Sequence, residues 1–171
     1  MGGTSTDVSR FDGKYEHIYE NFIAGATIQA PQLDIRTVAA GGGSRLFFVN
    51  GMFKVGPESA SSHPGPLSYR KNGYLAITDA NLFLGRVLPD YFPKIFGENE
   101  NEALDVEVTK VAFKKLTKEI NEHLKEHGHK SMTEDEVAYG FIRVANAAMA
   151  RPIRAITVSK GYDTVNHQIF S

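Results

Sequence analysis

The N-terminal segment combines glycines, hydroxyl groups and a carboxylate within six residues: Gly2, Gly3, Thr4, Ser5, Thr6, Asp7. Adjacent glycines allow the backbone to turn tightly, so that its N–H groups can approach an anion. The three hydroxyl groups are hydrogen-bond donors for phosphate oxygens, and the carboxylate is a ligand for Mg²⁺ or its waters. We therefore predict a phosphate-binding turn between strands, with its N–H groups facing a cleft; a flexible polar terminus is the alternative.

Three consecutive glycines, Gly41, Gly42 and Gly43, form a second candidate for cofactor binding. Because they lack side chains, their backbone can come close to a ligand, but the same property lets two backbone segments pack closely. The sequence does not decide between these two roles.

Asp79 and His167 are two further candidates for catalysis. Asp79 follows an apolar run and can contact a metal or substrate, although the N-terminus of a short helix uses an aspartate as well. His167 follows a turn at Gly161 and can act as a general base, with capping of that turn as the alternative. Together with Asp7, these residues form the candidate catalytic set.

Three histidines, His123, His127 and His129, lie close together at the end of a predicted helix. The i,i+4 spacing of the first two places them on one helical face, which suits a metal. They lie among lysines and a glutamate, so we expect a solvated helix end here and keep Asp7 as the candidate metal ligand.

The composition excludes several classes of function. In 171 residues there are 19 Lys and Arg against 20 Asp and Glu, so the net charge is −1 and gives no basis for nucleic-acid binding. Cysteine is absent, which excludes disulfides, thiolate nucleophiles and cysteine zinc sites. No apolar run approaches the roughly 20 residues of a membrane helix, and the N-terminus lacks signal-peptide features. We expect a cytoplasmic protein of one domain, or part of one, without nucleic-acid or membrane partners.

Strands in the first part of the chain and helices in the second must position these residues. Apolar and aromatic runs at residues 38–40 and 46–49 predict strands. Asn50-Gly51 predicts a tight hairpin turn, with the returning strand at residues 52–55. A strand-rich region (1–77) followed by a helix-rich region (78–171) indicates an α/β fold.

Two amphipathic helices are predicted near residues 102–127 and 133–150. An i+4 row of apolar residues forms one face of the first, widened by Val111 and Phe113. The row consists of Val108, Ala112, Leu116, Ile120 and Leu124. In the second, Thr133 and Glu136 match a capping box. Pro152 should end or kink that helix near Ala150, because proline lacks the N–H of an internal helical bond.

Several separate motifs, in their order along the chain, resemble those of the hydantoinase A/5-oxoprolinase family, its eukaryotic branch in particular. The resemblance covers nearly the whole chain except an insert at about residues 95–130. The motifs are GGTSTDVSR (2–10), APQLDIRTVAAGGGS (30–44), VGPESASSHPGPLSY (55–69), TDANLFLGR (78–86), GFIRVANAAMARPIR (140–154) and GYDTVNH (161–167).

The resemblance implies part of an actin-like ATPase (ribonuclease H-like) fold, in which two related α/β lobes hold a nucleotide between them. Members use ATP to activate a cyclic amide, and 5-oxoprolinase opens 5-oxo-L-proline to L-glutamate in glutathione metabolism. Mg²⁺ and a monovalent cation such as K⁺ assist. Phosphorylating the amide oxygen creates a good leaving group, which explains the need for ATP. By resemblance, residues 2–7 are the second of two phosphate-binding loops, and the full-length protein is a homodimer.

The sequence leaves two alternatives to a 5-oxoprolinase. One is an N-methylhydantoinase or ketone-carboxylase subunit of the same family, and the other is a non-catalytic remnant or assembly partner. In the family, a strand ending in aspartate precedes the first motif, and an adenosine-contacting loop follows the last. We therefore expect an internal piece of a longer protein, incomplete at both ends. Alone it should bind ATP weakly and not turn over 5-oxoproline, because the opposing lobe is missing.

Overall fold

The strands of the chain pair in short antiparallel sheets. The computed structural model describes residues 1–170, and within them each strand pairs with one other strand. The pairs are β1 (Thr6–Val8) with β6 (Arg36–Val38), β2 (His17–Ile18) with β5 (Gln32–Leu33), β3 (Asn21–Ile23) with β4 (Ala26–Ile28), and β7 (Ser44–Val49) with β8 (Met52–Ser59). The first three pairs are nested, so residues 6–38 form one long, interrupted hairpin.

The β7–β8 hairpin turns where the sequence predicts it. Asn50 and Gly51 have φ angles of 52° and 75°, and Val49 pairs with Met52 across the turn. Two successive positive φ angles match the right-handed twist of the flanking strands, and Asn-Gly adopts them at little cost. This prediction is confirmed.

Three α-helices follow the strands: α1 (Ile77–Phe83), α2 (Val106–Glu126) and α3 (Glu134–Ile156). Both predicted long helices are present. α2 begins later than predicted, because Glu102 forms a β-bridge with Phe96 and the helix cap is Asp105. The carboxylate of Asp105 accepts the N–H of Val108 at 3.0 Å.

The start of α3 has the predicted capping box. The N–H of Glu136 donates to the Thr133 hydroxyl at 3.2 Å, and the N–H of Thr133 donates to the Glu136 carboxylate at 2.8 Å. The predicted end near Ala150 is wrong, since the helix continues through Pro152 to Ile156. Pro152 and Ile156 are both buried, and this packing offsets the hydrogen bond that proline cannot make.

The main core lies between the three helices and the β7–β8 hairpin. Phe113 of α2 and Phe141 of α3 are fully buried there. The buried residues of α2 are Thr109, Phe113, Thr117 and Ile120. The prediction that Val111 widens the buried face is wrong, because its side chain is 67% exposed. Within residues 1–170, no helix has both the length and the apolarity needed to cross a membrane.

Candidate functional site

The glycine turn (residues 2–5) lies at the surface directly before β1. The N–H of Gly2 donates to the carbonyl of Ser5 at 2.9 Å, and the turn is largely exposed. A Cβ atom placed on Gly3 would meet no atom within 4 Å. Residues 2–5 therefore form a turn that leads into a strand, whereas Thr6 and Asp7, predicted to belong to the turn, lie in β1. The space beside Gly3 is open.

Two surface concavities lie away from this turn. One, of about 410 Å³, follows α2 and includes Lys114, Asn121 and Ser131. The other, of about 500 Å³, lies between the end of α1 and the start of α3. Neither contains a residue of the glycine turn, so neither is the cleft that the sequence predicts in front of it.

The triple-glycine segment (residues 41–43) packs directly against the glycine turn. The N–H groups of Gly42 and Gly43 donate to the carbonyls of Gly2 and Gly3, at 3.1 and 2.6 Å. A Cβ atom on Gly41 would lie 2.5 Å from the carbonyl oxygen of Gly2. Only glycine permits so close an approach of two backbones.

All three N–H groups of the triple-glycine segment are engaged within the protein, because that of Gly41 donates to the Ser44 hydroxyl at 3.0 Å. The same segment also contacts α1: the carbonyl of Gly42 accepts both the N–H and the hydroxyl of Thr78, at 2.8 and 2.9 Å. Of the two roles left open by the sequence, the geometry supports close packing. The triple-glycine segment lies between the glycine turn and the N-terminus of α1 and is hydrogen-bonded to both.

The hydroxyl groups beside the glycine turn differ in their availability. The Thr6 hydroxyl is buried and donates to the carbonyl of Ala40 at 2.7 Å, so its proton is not free for a phosphate oxygen. Thr4 is exposed, with its hydroxyl 3.2 Å from that of Ser59. The exposed Thr4 hydroxyl therefore remains accessible to a ligand, whereas Thr6 holds β1 against Ala40.

Asp7 lies on β1, exposed to solvent. The hydroxyl of Thr37, opposite it on β6, donates to one carboxylate oxygen at 2.6 Å. The other oxygen makes no hydrogen bond within residues 1–170. An exposed carboxylate next to an open glycine turn suits a hydrated divalent cation, which keeps several of its waters.

Asp79 occupies a different place from Asp7. It is fully buried in the first turn of α1. Its carboxylate accepts the N–H groups of Leu67, Ser68 and Ala76 at 3.0, 2.9 and 2.8 Å. Burial raises the pKa of the Asp79 carboxyl above its ordinary value, although these N–H groups stabilise its charged form. Asp79 thus holds the Leu67–Tyr69 turn against α1. It is not the N-cap that the sequence offered as its structural role, because α1 begins at Ile77 with Ala76 as its N-cap.

Asp79→Asn is expected to lower the free energy of unfolding by about 1–3 kcal/mol, the cost of a buried donor left without an acceptor. In the variant, the side-chain amide nitrogen would take the place of a carboxylate oxygen that accepts a backbone N–H in the unaltered chain. Urea unfolding of the full chain measures this, with the exposed Asp90→Asn as the matched control. An unchanged midpoint for Asp79→Asn would contradict the structural role.

The same substitution should alter the pH dependence of stability. Because the pKa of Asp79 is raised in the folded state, the folded state binds this proton more tightly than the unfolded state. Its contribution to the free energy of unfolding therefore falls as the pH rises from about 3.9, the ordinary aspartate pKa, to the raised value. In Asp79→Asn, the free energy of unfolding should no longer show this fall with rising pH.

His167 is held by hydrogen bonds at both ring nitrogens. Nε2 accepts the Nε–H of Arg10 at 2.9 Å, and Nδ1 donates to the carbonyl of Asp163 at 2.8 Å. The lone pair that a general base needs is therefore engaged by Arg10. Contact with Asp163 agrees with the capping alternative considered for this residue.

Arg10 and Lys160 join the start and the end of the described chain, a connection that the sequence gave no reason to expect. Arg10 contacts Glu16 at 2.6 Å and stacks on Tyr162 at 3.5 Å from the ring centroid. Lys160 bridges Glu16 and the buried Asp34, both at 2.6 Å. The hydrogen bond from Lys160 lowers the pKa of Glu16, as expected for a paired carboxylate. This network anchors the C-terminal residues on the long hairpin.

The structure therefore brings together the glycine turn, the triple-glycine segment and the N-terminus of α1, with Asp7 on the adjoining strand. Asp79 is bound to the Leu67–Tyr69 turn and to the N-cap of α1, and His167 to Arg10 and Asp163. Two further residues of the site are not among the candidates predicted from the sequence: Thr78, which joins α1 to the triple-glycine segment, and Thr37, which holds Asp7. A hydroxyl in the first turn of a helix beside a glycine-rich segment is the signal that could have identified Thr78.

Comparison with known proteins places this arrangement in a family. A family profile described as hydantoinase/oxoprolinase matches residues 1–171. Among curated relatives, the chain is 66% identical over 167 residues to a 5-oxoprolinase of Dictyostelium discoideum, covering 98% of this chain and 13% of the relative. It is 59% identical over 172 residues to a 5-oxoprolinase of Saccharomyces cerevisiae, covering 100% of this chain and 13% of the relative.

A solved structure gives the same result for the fold. Acetone carboxylase, in its nucleotide-free form, superposes with a TM-score of 0.72 at 24% identity, over 95% of this chain and 21% of that protein. This likeness confirms the predicted fold class. The chain spans 13% of the length of the two curated relatives. The match over its whole length shows that the chain belongs to the hydantoinase/oxoprolinase family.

Proposed function

We propose that this chain serves in the ATP-dependent hydrolysis of a cyclic amide, the opening of 5-oxo-L-proline to L-glutamate. The identities of 66% and 59% to proteins named 5-oxoprolinase support this substrate. The structural observation that carries the proposal is the open glycine turn, held by backbone contacts to the triple-glycine segment and followed by the exposed Asp7.

In this proposal the glycine turn binds the phosphates of ATP. The backbone N–H groups of Gly3, Thr4 and Ser5 and the hydroxyls of Thr4 and Ser5 are the donors. The triple-glycine segment has no N–H group left for a phosphate, so its role is to fix the turn. Thr6 has the same positioning role, because its hydroxyl is bound to the carbonyl of Ala40.

Asp7 would hold Mg²⁺, through one carboxylate oxygen and the waters of the ion. Thr37 fixes the other oxygen and so restrains the carboxylate on the strand that follows the turn. When bound, ATP supplies the phosphoryl group that activates the amide oxygen, and Mg²⁺ neutralises phosphate charge. Preorganised binding of this kind accounts for much of the catalysis in phosphoryl transfer.

Other parts of the proposal rest on the family resemblance. These are a monovalent cation such as K⁺, a homodimeric full-length protein and a cytoplasmic location. Asp79 and His167 enter as residues that position α1 and the C-terminal segment, since both are engaged in structural hydrogen bonds.

A chimeric enzyme tests the proposed function. Because the chain matches 13% of the Dictyostelium relative, its 171 residues can replace the matched segment of that protein. The chimera is expected to release glutamate from 5-oxoproline only when ATP and Mg²⁺ are present. The unmodified Dictyostelium protein and the chimera are assayed side by side. N-methylhydantoin, and acetone with bicarbonate, are the comparison substrates.

Two results would contradict the proposal. A folded chimera that hydrolyses neither ATP nor 5-oxoproline would favour a non-catalytic role for these residues. A chimera that has gained activity on N-methylhydantoin or acetone and lost it on 5-oxoproline would assign the chain to another substrate of the family.

A further inference from the structure

The C-terminal end of α2 brings together three side chains of the types that bind metals: His123 and Glu126 in its last turn and His127 as its C-cap. One ligand atom from each lies within 4.8 Å of the others. Residues at i, i+3 and i+4 share one face of a helix, which explains the grouping. From the sequence we expect a solvated helix end here; in the structure the Glu126 carboxylate lies close enough to both histidines to share a metal ion with them.

Both imidazole rings are held in place by neighbouring groups. Nδ1 of His127 lies 2.9 Å from the carbonyl oxygen of His123, so the proton on Nδ1 is donated and Nε2 carries the lone pair. Such a bond to a backbone carbonyl is the usual support of a metal-binding histidine. The ring of His123 packs edge-on against Phe48 of β7 at 5.5 Å and lies beside Gly51 of the hairpin turn.

The electrostatic surroundings suit a cation. The cluster lies at the C-terminal end of a 21-residue helix, where the helix dipole presents its negative end. Lys125, although adjacent in sequence, projects from the opposite face, where it lines a concavity with Lys114 and Lys118. Its charge is therefore directed away from the two imidazole rings.

We propose that His123, Glu126 and His127 bind one Zn²⁺ ion. Two imidazole nitrogens and a carboxylate oxygen are a common zinc ligand set, and they leave a fourth position for water. Histidines at i and i+4 on one helix also bind zinc in metalloproteases. The site is independent of the proposed function, because its residues lie on α2 and against the β7–β8 hairpin.

Bound zinc would fix the end of α2 against the hairpin turn through His123. A ligand that binds only the folded state raises the melting temperature, and does so in proportion to the logarithm of its concentration once the site is saturated. Zinc should therefore raise the melting temperature of the chain.

Calorimetric titration of the tag-free, chelator-treated chain with Zn²⁺ tests the site. One ion per chain is expected, with binding weakened about 100-fold or more by His127→Ala, since loss of a supporting group alone costs 10–100-fold. His129→Ala is the matched control, as this neighbouring histidine is outside the cluster, and it should bind zinc like the unaltered chain. Co²⁺ should give the absorption of a tetrahedral site.

His127 is exposed, so its replacement should leave the fold intact, which circular dichroism verifies. His123→Ala and Glu126→Gln give independent tests of the other two ligands. Zinc binding that is equally strong in the unaltered chain and His127→Ala would overturn the proposal. So would the absence of any binding by the unaltered chain, or equal losses in His127→Ala and His129→Ala.

Discussion

Replacing Asp7 by asparagine in the chimera is expected to reduce ATP-dependent glutamate release by about 10²–10³-fold, the effect of losing one preorganised charge-stabilising group. Asp7 is exposed and follows the glycine turn, with one oxygen held by Thr37. Asparagine keeps the size of the side chain and an acceptor for Thr37 but removes the negative charge that attracts Mg²⁺. Initial rates measured over a range of Mg²⁺ concentrations check this, and the apparent Mg²⁺ requirement should increase.

Asp90→Asn is the matched control for this experiment, because it makes the same chemical change at an exposed surface aspartate. Its activity and Mg²⁺ dependence should equal those of the unaltered chimera. Full activity of Asp7→Asn, with an unchanged Mg²⁺ dependence, would show that this carboxylate does not hold the ion.

Phe141→Ala is expected to lower the free energy of unfolding of the chain by about 3–5 kcal/mol, the range for a fully buried phenylalanine. Phe141 lies in the main core on α3, and its ring meets that of Phe53 at 4.8 Å and nearly at right angles. Alanine would remove this contact and leave a cavity between α3 and the β7–β8 hairpin. Urea unfolding followed by circular dichroism measures the loss.

Val111→Ala serves as the control for the core substitution. Its side chain is 67% exposed on α2, and exposed substitutions of this kind usually change stability by about 0.5 kcal/mol or less. A loss for Phe141→Ala as small as that of Val111→Ala would mean that α3 does not pack on the hairpin as described.

The features predicted best from the sequence are those governed by neighbouring residues. Asn50-Gly51 forms the expected hairpin turn because its two positive φ angles are a local preference. Thr133 and Glu136 form the expected capping box for the same reason. The glycine turn is also a local feature, although Thr6 and Asp7, predicted to be part of it, lie in β1.

The features that sequence analysis missed depend on tertiary contacts. Two threonines, Thr109 and Thr117, lie in the buried face of α2. A prediction that counts only apolar residues leaves them out, and it therefore places the buried face too close to Val111. Arg10 pairs with a residue 157 positions away, His167, and no local pattern indicates such a contact. The packing role of the triple-glycine segment likewise depends on contacts with Gly2 and Gly3, which lie far from it in sequence.

The most direct test of the central claim, that the glycine turn binds the phosphates of ATP, is a crystal structure of the chimera with Mg²⁺ and a non-hydrolysable ATP analogue. We expect phosphate oxygens within hydrogen-bonding distance of the N–H groups of Gly3, Thr4 or Ser5, and Mg²⁺ next to the carboxylate of Asp7. A nucleotide whose phosphates are bound elsewhere, with the glycine turn in contact only with solvent, would contradict the claim.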